Sequence, residues 1–270
     1  MKLWMLGSGS GGNAVLLECD DSRVLVDAGF APRTLAQRLA AIDVAPASIE
    51  ACIITHAHGD HVKGAASGSR KWGWALHATP GAASECPELV EAGVQLFAPG
   101  DRIALSRMDI DTHPVPHDAA DTIGAIVTAR SSGARAGICY DVGHVTDPVR
   151  AICKDVDILV LESNHDEGML RSGPYPYIVQ QRIAGDHGHL SNREAARLAR
   201  DSVTRALHHV VLAHLSQKCN DHGVARGAVN GGLTHAGYKG HLTTALQHAP
   251  VGPFLPRSGR VELPTQYSLF

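Results

Sequence analysis

Short runs of apolar and β-branched residues recur along most of the chain, punctuated by glycine and aspartate. Runs of this length and make-up predict strands. They are Lys2–Leu6, Ala14–Glu18, Arg23–Asp27, Ala51–Thr55, Asp109–His113, Thr122–Thr128, Ala136–Tyr140, Asp157–Leu161 and His209–Ala213. Cys19-Asp20-Asp21-Ser22 predicts a hairpin turn between the second and third runs. Helical periodicity appears at Pro32–Ala41, where Leu35 and Leu39 fall one turn apart with Arg33 and Arg38 left for solvent. It appears again at Ser191–Arg205, where Glu194 stands three places after Ser191, the spacing of a capping box. Ala195, Leu198 and Ala199 form the apolar side of that helix. Hairpin strands precede mixed strand–helix units, an order that predicts two sheets covered by outer helices in a layered α/β fold. Residues 222–270 are rich in Gly and Pro with weak periodicity. They predict a helix or two, an edge strand near Leu242–Leu246 and a loose tail.

Composition narrows the classes. A chain of 270 residues suits one large domain or two small ones, and residues 1–270 are read as one domain whose C-terminal part completes the fold. With 44% hydrophobic and 19% charged residues, general disorder is excluded. No apolar run approaches the ~20 residues of a membrane span. The opening MKLWMLGSGSGGNAV turns Gly-rich too soon for a signal core, so a cytoplasmic protein is expected. A net charge of −3 gives no broad basic surface for tight non-specific nucleic-acid binding, although metals and a few local arginines can still hold phosphates. The six cysteines form no C-x-x-C pair and sit in apolar segments, which fits free thiols in a reducing compartment.

Histidine is the outlier, at 17 residues, and metal ligation is the commonest physical reason for such an excess. The centre of interest is Thr55-His56-Ala57-His58-Gly59-Asp60-His61, directly after the strand ACIIT. Two histidines two apart on an extended segment can turn their rings to one side once the strand ends. Asp60 and His61 then begin a helix and can address a second centre close by. A catalytic tetrahedral ion takes three protein ligands, so this run has capacity toward two ions. The pattern resembles the signature of the metallo-β-lactamase fold superfamily, the αββα metallohydrolases, and implies a four-layer αββα sandwich. That resemblance implies further ligands past later strands: His117 in HPVPHDA, with His113 as competitor, Asp141 in YDVG, and His214 in LAHLSQ. The implied first ion is held by His56, His58 and His117. The second is held by Asp60, His61 and His214, with Asp141 shared. Asp27 in VLVDAGF matches a family position that forms a turn or supports a ligand rather than binding metal. Gly7–Asn13 matches a Gly-rich first turn; a hairpin strand follows it, so it is no nucleotide-binding fingerprint. Zn2+ suits the His-rich set, with Mn2+ the alternative because carboxylates share the site.

Two further segments narrow the branch. Glu162 ends an apolar strand in LESNHD, and His189 opens a helix in GHLSNRE. The pair is similar to motifs of RNase Z. The ESNHD, GD-x-GHLSN and HLS-x-x-N patterns, over residues 1–220, are similar to the small bacterial YycJ-type group, which is exonuclease-like. A helix-start histidine oriented by a buried carboxylate can supply the proton that a departing alkoxide needs. The implied activity is metal-dependent hydrolysis of phosphodiesters in nucleic acid, with Asp60, Glu162 and His189 catalytic and DNA slightly favoured. A hydrolase of thioesters, lactones or cyclic phosphodiesters is the alternative. It is disfavoured by Thr79-Pro80-Gly81-Ala82 standing where such enzymes carry TPGH. A catalytically silent metal-binding module is a third reading, and the oligomeric state is open. His165 is read as ordering the Glu162 loop and His187 as a surface residue. Trp72 and Trp74 fit loop packing, or base stacking beside Arg70 and Lys71. Arg193, Arg197 and Arg200 fit a solvated helix face, or phosphate contacts. Tyr175 and Tyr177, among Pro174 and Pro176, form a rigid aromatic loop at a cleft or an interface.

Overall fold

The computed structural model describes residues 1–257. The predicted tail falls largely on residues 258–270, outside the described part. Strands β1 (Lys2–Gly7), β2 (Ala14–Cys19), β3 (Ser22–Val26), β4 (Ala51–Ile53), β5 (Ala75–Ala78) and β6 (Gln95–Leu96) lie in one sheet. Strands β7 (Arg102–Ala104), β8 (Met108–Pro114), β9 (Ile123–Ala129), β10 (Arg135–Cys139), β11 (Ile158–Glu162), β12 (His209–Ala213) and β13 (His241–Thr244) make the other. The last strand, β14 (Val251–Phe254), crosses back to pair with β1 at the edge of the first sheet. Both sheets change from antiparallel to parallel pairing along their width, the first at β3–β4 and the second at β10–β11.

Side chains alternate across a strand, so a strand buried on both faces reads as an unbroken apolar run. In β12, Val211 and Ala213 face the other sheet, whereas Val210 and Leu212 face helices. In β1, Leu3 and Met5 face inward, and Trp4 and Leu6 outward. Helices α1 (Pro32–Ala40), α2 (Gly59–Val62), α3 (Ala65–Trp72), α4 (Pro80–Glu85) and α5 (Pro87–Glu91) follow strands of the first sheet. Leu35, Leu39, Ala65, Ala82 and Leu89 pack on its outer face. Helices α6 (Asp147–Cys153), α7 (Glu167–Ser172), α8 (Tyr177–Ile183), α9 (Asn192–Asp201) and α10 (His222–His235) belong to the second half, and α6, α9 and α10 cover its sheet. The result is the αββα sandwich.

The nine predicted strands are present, with ends shifted by at most two residues. The 19–22 hairpin closes on Cys19 opposite Ser22. The predicted helix at Ser191 begins with the capping box: Ser191 accepts from Glu194 N and Glu194 from Ser191 N. It stops at Asp201, short of the predicted Arg205. The predicted edge strand is β13, and one helix, α10, precedes it. All six cysteines are free, five of them buried. No helix among the described residues is long and apolar enough to cross a membrane.

At the end of the second sheet away from the strand carboxyl ends, His209 pairs with His241 across β12 and β13. The rings of His208, His209 and His241 lie 4.6–5.1 Å apart. Burial, then the charges of His208 and His241, push the His209 pKa down to about 4. The unfolded chain therefore binds the extra proton more readily between about pH 6.5 and 4, and stability is lost as pH falls through that window. His209→Gln is expected to flatten this slope, measured as urea midpoints at pH 7 and 4.5. An unchanged slope refutes it.

Candidate metal centre

Parallel strands in register bring their carboxyl ends to one edge of the sandwich, the usual place for ligands in such sheets. Across β10, β11 and β12, Cys139 pairs with Leu161 and Glu162 with Ala213. Asp141, Glu162 and His214 therefore emerge side by side. From the first sheet, β3 delivers Asp27, and β4 delivers Thr55 and His56. His58 caps α2, which carries Asp60 and His61. Gly29 makes this crossing possible, because a Cβ there would run into the Asp60 carbonyl.

The seven predicted ligands converge. His56, His58 and His117 bring ligand atoms within 4.8 Å of one another, as do Asp60, His61 and His214. Asp141 joins both halves: Oδ2 lies 2.9 Å from His61 Nε2, and Oδ1 lies 2.9 Å from His214 Nδ1 and 4.0 Å from His117 Nε2. Outer partners fix the rings. His61 Nδ1 donates to Asp27 Oδ2 (2.7 Å), His117 Nδ1 to the Gly188 carbonyl (3.1 Å) and His56 Nδ1 to Thr55 Oγ1 (3.0 Å). Each of these leaves Nε2 for the centre, the arrangement expected of imidazole ligands. His58 is turned the other way, its Nδ1 facing His117 Nε2 at 3.3 Å. Asp27, fully buried, accepts from Thr55 N, Thr55 Oγ1, Tyr140 OH and His61. With four donors on it, this carboxylate holds Thr55 and the His61 ring in place.

The donor set fits divalent cations. His56 Nε2 is buried without a hydrogen-bond partner among the described residues, a costly condition unless something binds there. Burial pushes Asp141 up, but His214 and His61 outweigh it and hold the carboxyl well below its usual range. Burial likewise pushes His61 toward neutrality, and Asp141 with Asp27 reverses this. Carboxylates this buried draw protons onto their imidazoles, and a divalent ion displaces such protons. The backbone is held in an unusual state here: Asp27, Asp141 and His214 have φ of 62°, 55° and 53°. Left-handed geometry is uncommon away from glycine and gathers at functional sites. Hydrogen bonds from His214 N to Ser8 Oγ and from Asn164 Nδ2 to the His214 carbonyl hold the last of these.

Glu162 and His189 meet beside the cluster. Glu162 Oε1 accepts from His189 Nδ1 (2.9 Å) and His214 Nδ1 (3.0 Å), while Oε2 accepts from Val142 N and Leu190 N. Burial pushes this carboxyl up, yet His189 and His214 hold it at about 2. Burial also lowers His189, and Glu162 outweighs it, so its pKa is raised. The site opens through a cleft of about 280 Å³ whose walls include Ser10, Tyr175, Arg182 and Ser216.

Other sequence readings resolve. His113 stays in β8, away from the cluster. His187 is exposed, and His165 is buried beside Ser191, its carbonyl accepting from Asn192 N. Trp74 is buried and donates to the Pro46 carbonyl, which settles packing over base stacking for it. Arg193 pairs with Glu167 and Arg200 with Asp201, and neither these nor Arg197 lines the cleft. Sequence reasoning missed Asp118 and Arg182. They meet across 64 residues, and no local motif announces such a pair.

Two mixed sheets back to back under outer helices, with histidines and carboxylates gathered at the ends of their strands, define a protein of the metallo-β-lactamase fold. The chain belongs to the beta-lactamase superfamily, whose domain family matches residues 22–214. It is 29% identical over 238 residues to the exodeoxyribonuclease YycJ of Bacillus anthracis, covering 87% of this chain and 89% of that one. It is 31% identical over 226 residues to the exodeoxyribonuclease WalJ of Streptococcus pneumoniae, covering 81% and 83%. The crystal structure of the metallo-beta-lactamase fold protein YhfI from Bacillus subtilis superposes with a TM-score of 0.69 at 15% identity, covering 93% and 99%.

Proposed function

We propose that this chain is a metal-dependent phosphodiesterase acting on nucleic acid, an exonuclease for which DNA is the favoured substrate. The observation that carries the reading is the Glu162–His189 pair, 2.9 Å apart beside the metal-ligand cluster at the cleft. Two relatives whose names say exodeoxyribonuclease, matched over more than four-fifths of this chain, supply the substrate class. His56, His58 and His117 would hold one divalent ion. Asp60, His61 and His214 would hold a second, with Asp141 shared. Nitrogen-rich donors favour zinc, and the carboxylates leave manganese as the alternative. When bound, the ions supply Lewis acidity toward the phosphodiester and lower the pKa of water at the site. The rest falls to side chains. Glu162 fixes the His189 ring through Nδ1, which leaves Nε2 to deliver a proton to the departing oxygen. Asp27 and the Gly188 carbonyl hold His61 and His117 in the tautomer that presents Nε2.

The test is metal analysis of the purified chain, followed by digestion of oligonucleotides labelled at the 5′ or the 3′ end. The expected result is two ions per chain and stepwise loss of nucleotides from one end, abolished by EDTA and restored by Zn2+ or Mn2+. Faster turnover of a thioester or lactone than of bis-p-nitrophenyl phosphate would reverse the assignment.

A further inference from the structure

Asp60, Asp118 and Asp141 line the cleft and make it acidic, so a polyanion entering it needs opposing charge. Arg182, on α8, is the only Lys or Arg lining the cleft among the described residues. Its Nε and a terminal nitrogen lie 2.6 and 2.5 Å from Asp118 Oδ2, and its side chain is 70% exposed. An exposed ion pair of this kind contributes little to stability, so the guanidinium is free to change partner. A guanidinium is also the side chain best matched to phosphate oxygens.

Tyr175 lies on the same wall. Pro174 and Pro176 bracket it and restrict its backbone, and its carbonyl accepts from Gln180 Nε2 at 2.9 Å. The loop is thereby pinned to the helix that carries Arg182. Lys218 Nζ stands 5.1 Å from the ring centroid and adds a second cation behind the aromatic. An aromatic ring beside cations at a cleft mouth is the usual construction for holding an unpaired strand, because every base has a face to stack.

We propose that Tyr175 and Arg182 form a subsite for the nucleotide adjoining the scissile phosphodiester. The ring stacks on its base, and the guanidinium leaves Asp118 to hold its phosphate. This rests on the nuclease reading above and narrows it to an unpaired strand end, since a base inside a duplex offers no free face.

The test uses the full chain loaded with Zn2+, and two substrates: an oligothymidylate of about twelve nucleotides and bis-p-nitrophenyl phosphate. Tyr175→Ala is expected to raise KM for the oligonucleotide about tenfold, and Tyr175→Phe to restore it. Arg182→Ala is expected to reduce the slope of log KM against log salt by about 0.7, with Arg182→Lys retaining it. Both alanine variants should lose more kcat/KM on the oligonucleotide than on the small ester. Equal losses on the two substrates, or an oligonucleotide KM indifferent to both substitutions, overturn the subsite. Should the wild-type chain cleave neither substrate, the nuclease reading falls. Fluorescence anisotropy of the labelled oligonucleotide then decides the subsite: binding weakened by Tyr175→Ala keeps it, and binding indifferent to both changes ends it.

Discussion

Asp141→Asn is expected to lower kcat/KM for phosphodiester hydrolysis by about 10³, roughly 4 kcal/mol of transition-state stabilisation. The side chain keeps its volume, and asparagine tolerates the left-handed backbone at this position (φ 55°). What disappears is the charge. Asp141 is the carboxylate shared by the two proposed ions, and its oxygens stand 2.9 Å from His61 Nε2 and His214 Nδ1. An amide turned to the same groups offers one neutral oxygen and one NH2 that repels cations. Metal content is therefore expected to fall by about one ion per chain, because an anionic donor set is what retains divalent ions. Elemental analysis, circular dichroism and steady-state kinetics on one preparation separate the outcomes. A folded variant with full metal content and wild-type kcat would contradict the shared-ligand role.

Glu162 carries the second large effect, and there folding and catalysis separate. Four donors converge on its buried carboxylate: the amides of Val142 and Leu190 and the Nδ1 atoms of His189 and His214. Glu162→Ala strands all four, and breaking a buried charged network of this kind costs about 3–5 kcal/mol. At about 2–4 °C per kcal/mol, the melting temperature is expected to fall by about 6–20 °C. Glu162→Gln keeps one acceptor and should unfold later than the alanine variant. Its kcat should still fall about 10²–10⁴-fold, because the neutral amide no longer holds the His189 proton in place. The sign with pH follows from the same contacts. The folded carboxyl titrates at about 2 against 4.5 for the free side chain, so its stabilisation is complete above about pH 4.5 and is lost as pH falls toward 2. Thermal melts and kcat measured together decide the matter, and a glutamine variant with wild-type kcat would remove His189 from the chemistry.

The site was readable because its residues follow strand ends that are themselves readable. ACIIT, AGICY and HVVLA are apolar on both faces, and such runs stand out without alignment. His56, Asp141 and His214 each come just after one of them. The H-x-H-x-D-H run compresses four donors into six residues, which is a strong local signal. Two of the strands that escaped notice carry no such contrast. In β6, both Gln95 and Leu96 are exposed, and β14 contains Gly252 and Pro253, residues that sequence reading assigns to turns. Pro is tolerated there because β14 lies at a sheet edge. The supporting contacts were illegible for another reason. The Asp27–Tyr140 bond spans 113 residues, and the one between Ser8 and the His214 amide spans 206. Such partners are set by how two sheets stack, and periodicity within one segment carries no information about that.

Because β14 pairs with β1, with Leu3 opposite Phe254 and Met5 opposite Val251, β1 finds its outer neighbour in a strand synthesised long after it. While the nascent chain is still on the ribosome, the open flank of β1 presents unsatisfied amides and carbonyls, a template for unwanted strand addition. Synthesis that stalls between His214 and residue 250 would leave that flank bare, even with all seven donors of the proposed centre already made. Closure of this edge therefore waits on β14, and truncations that remove it should aggregate through β1 rather than through the end that carries the donor cluster.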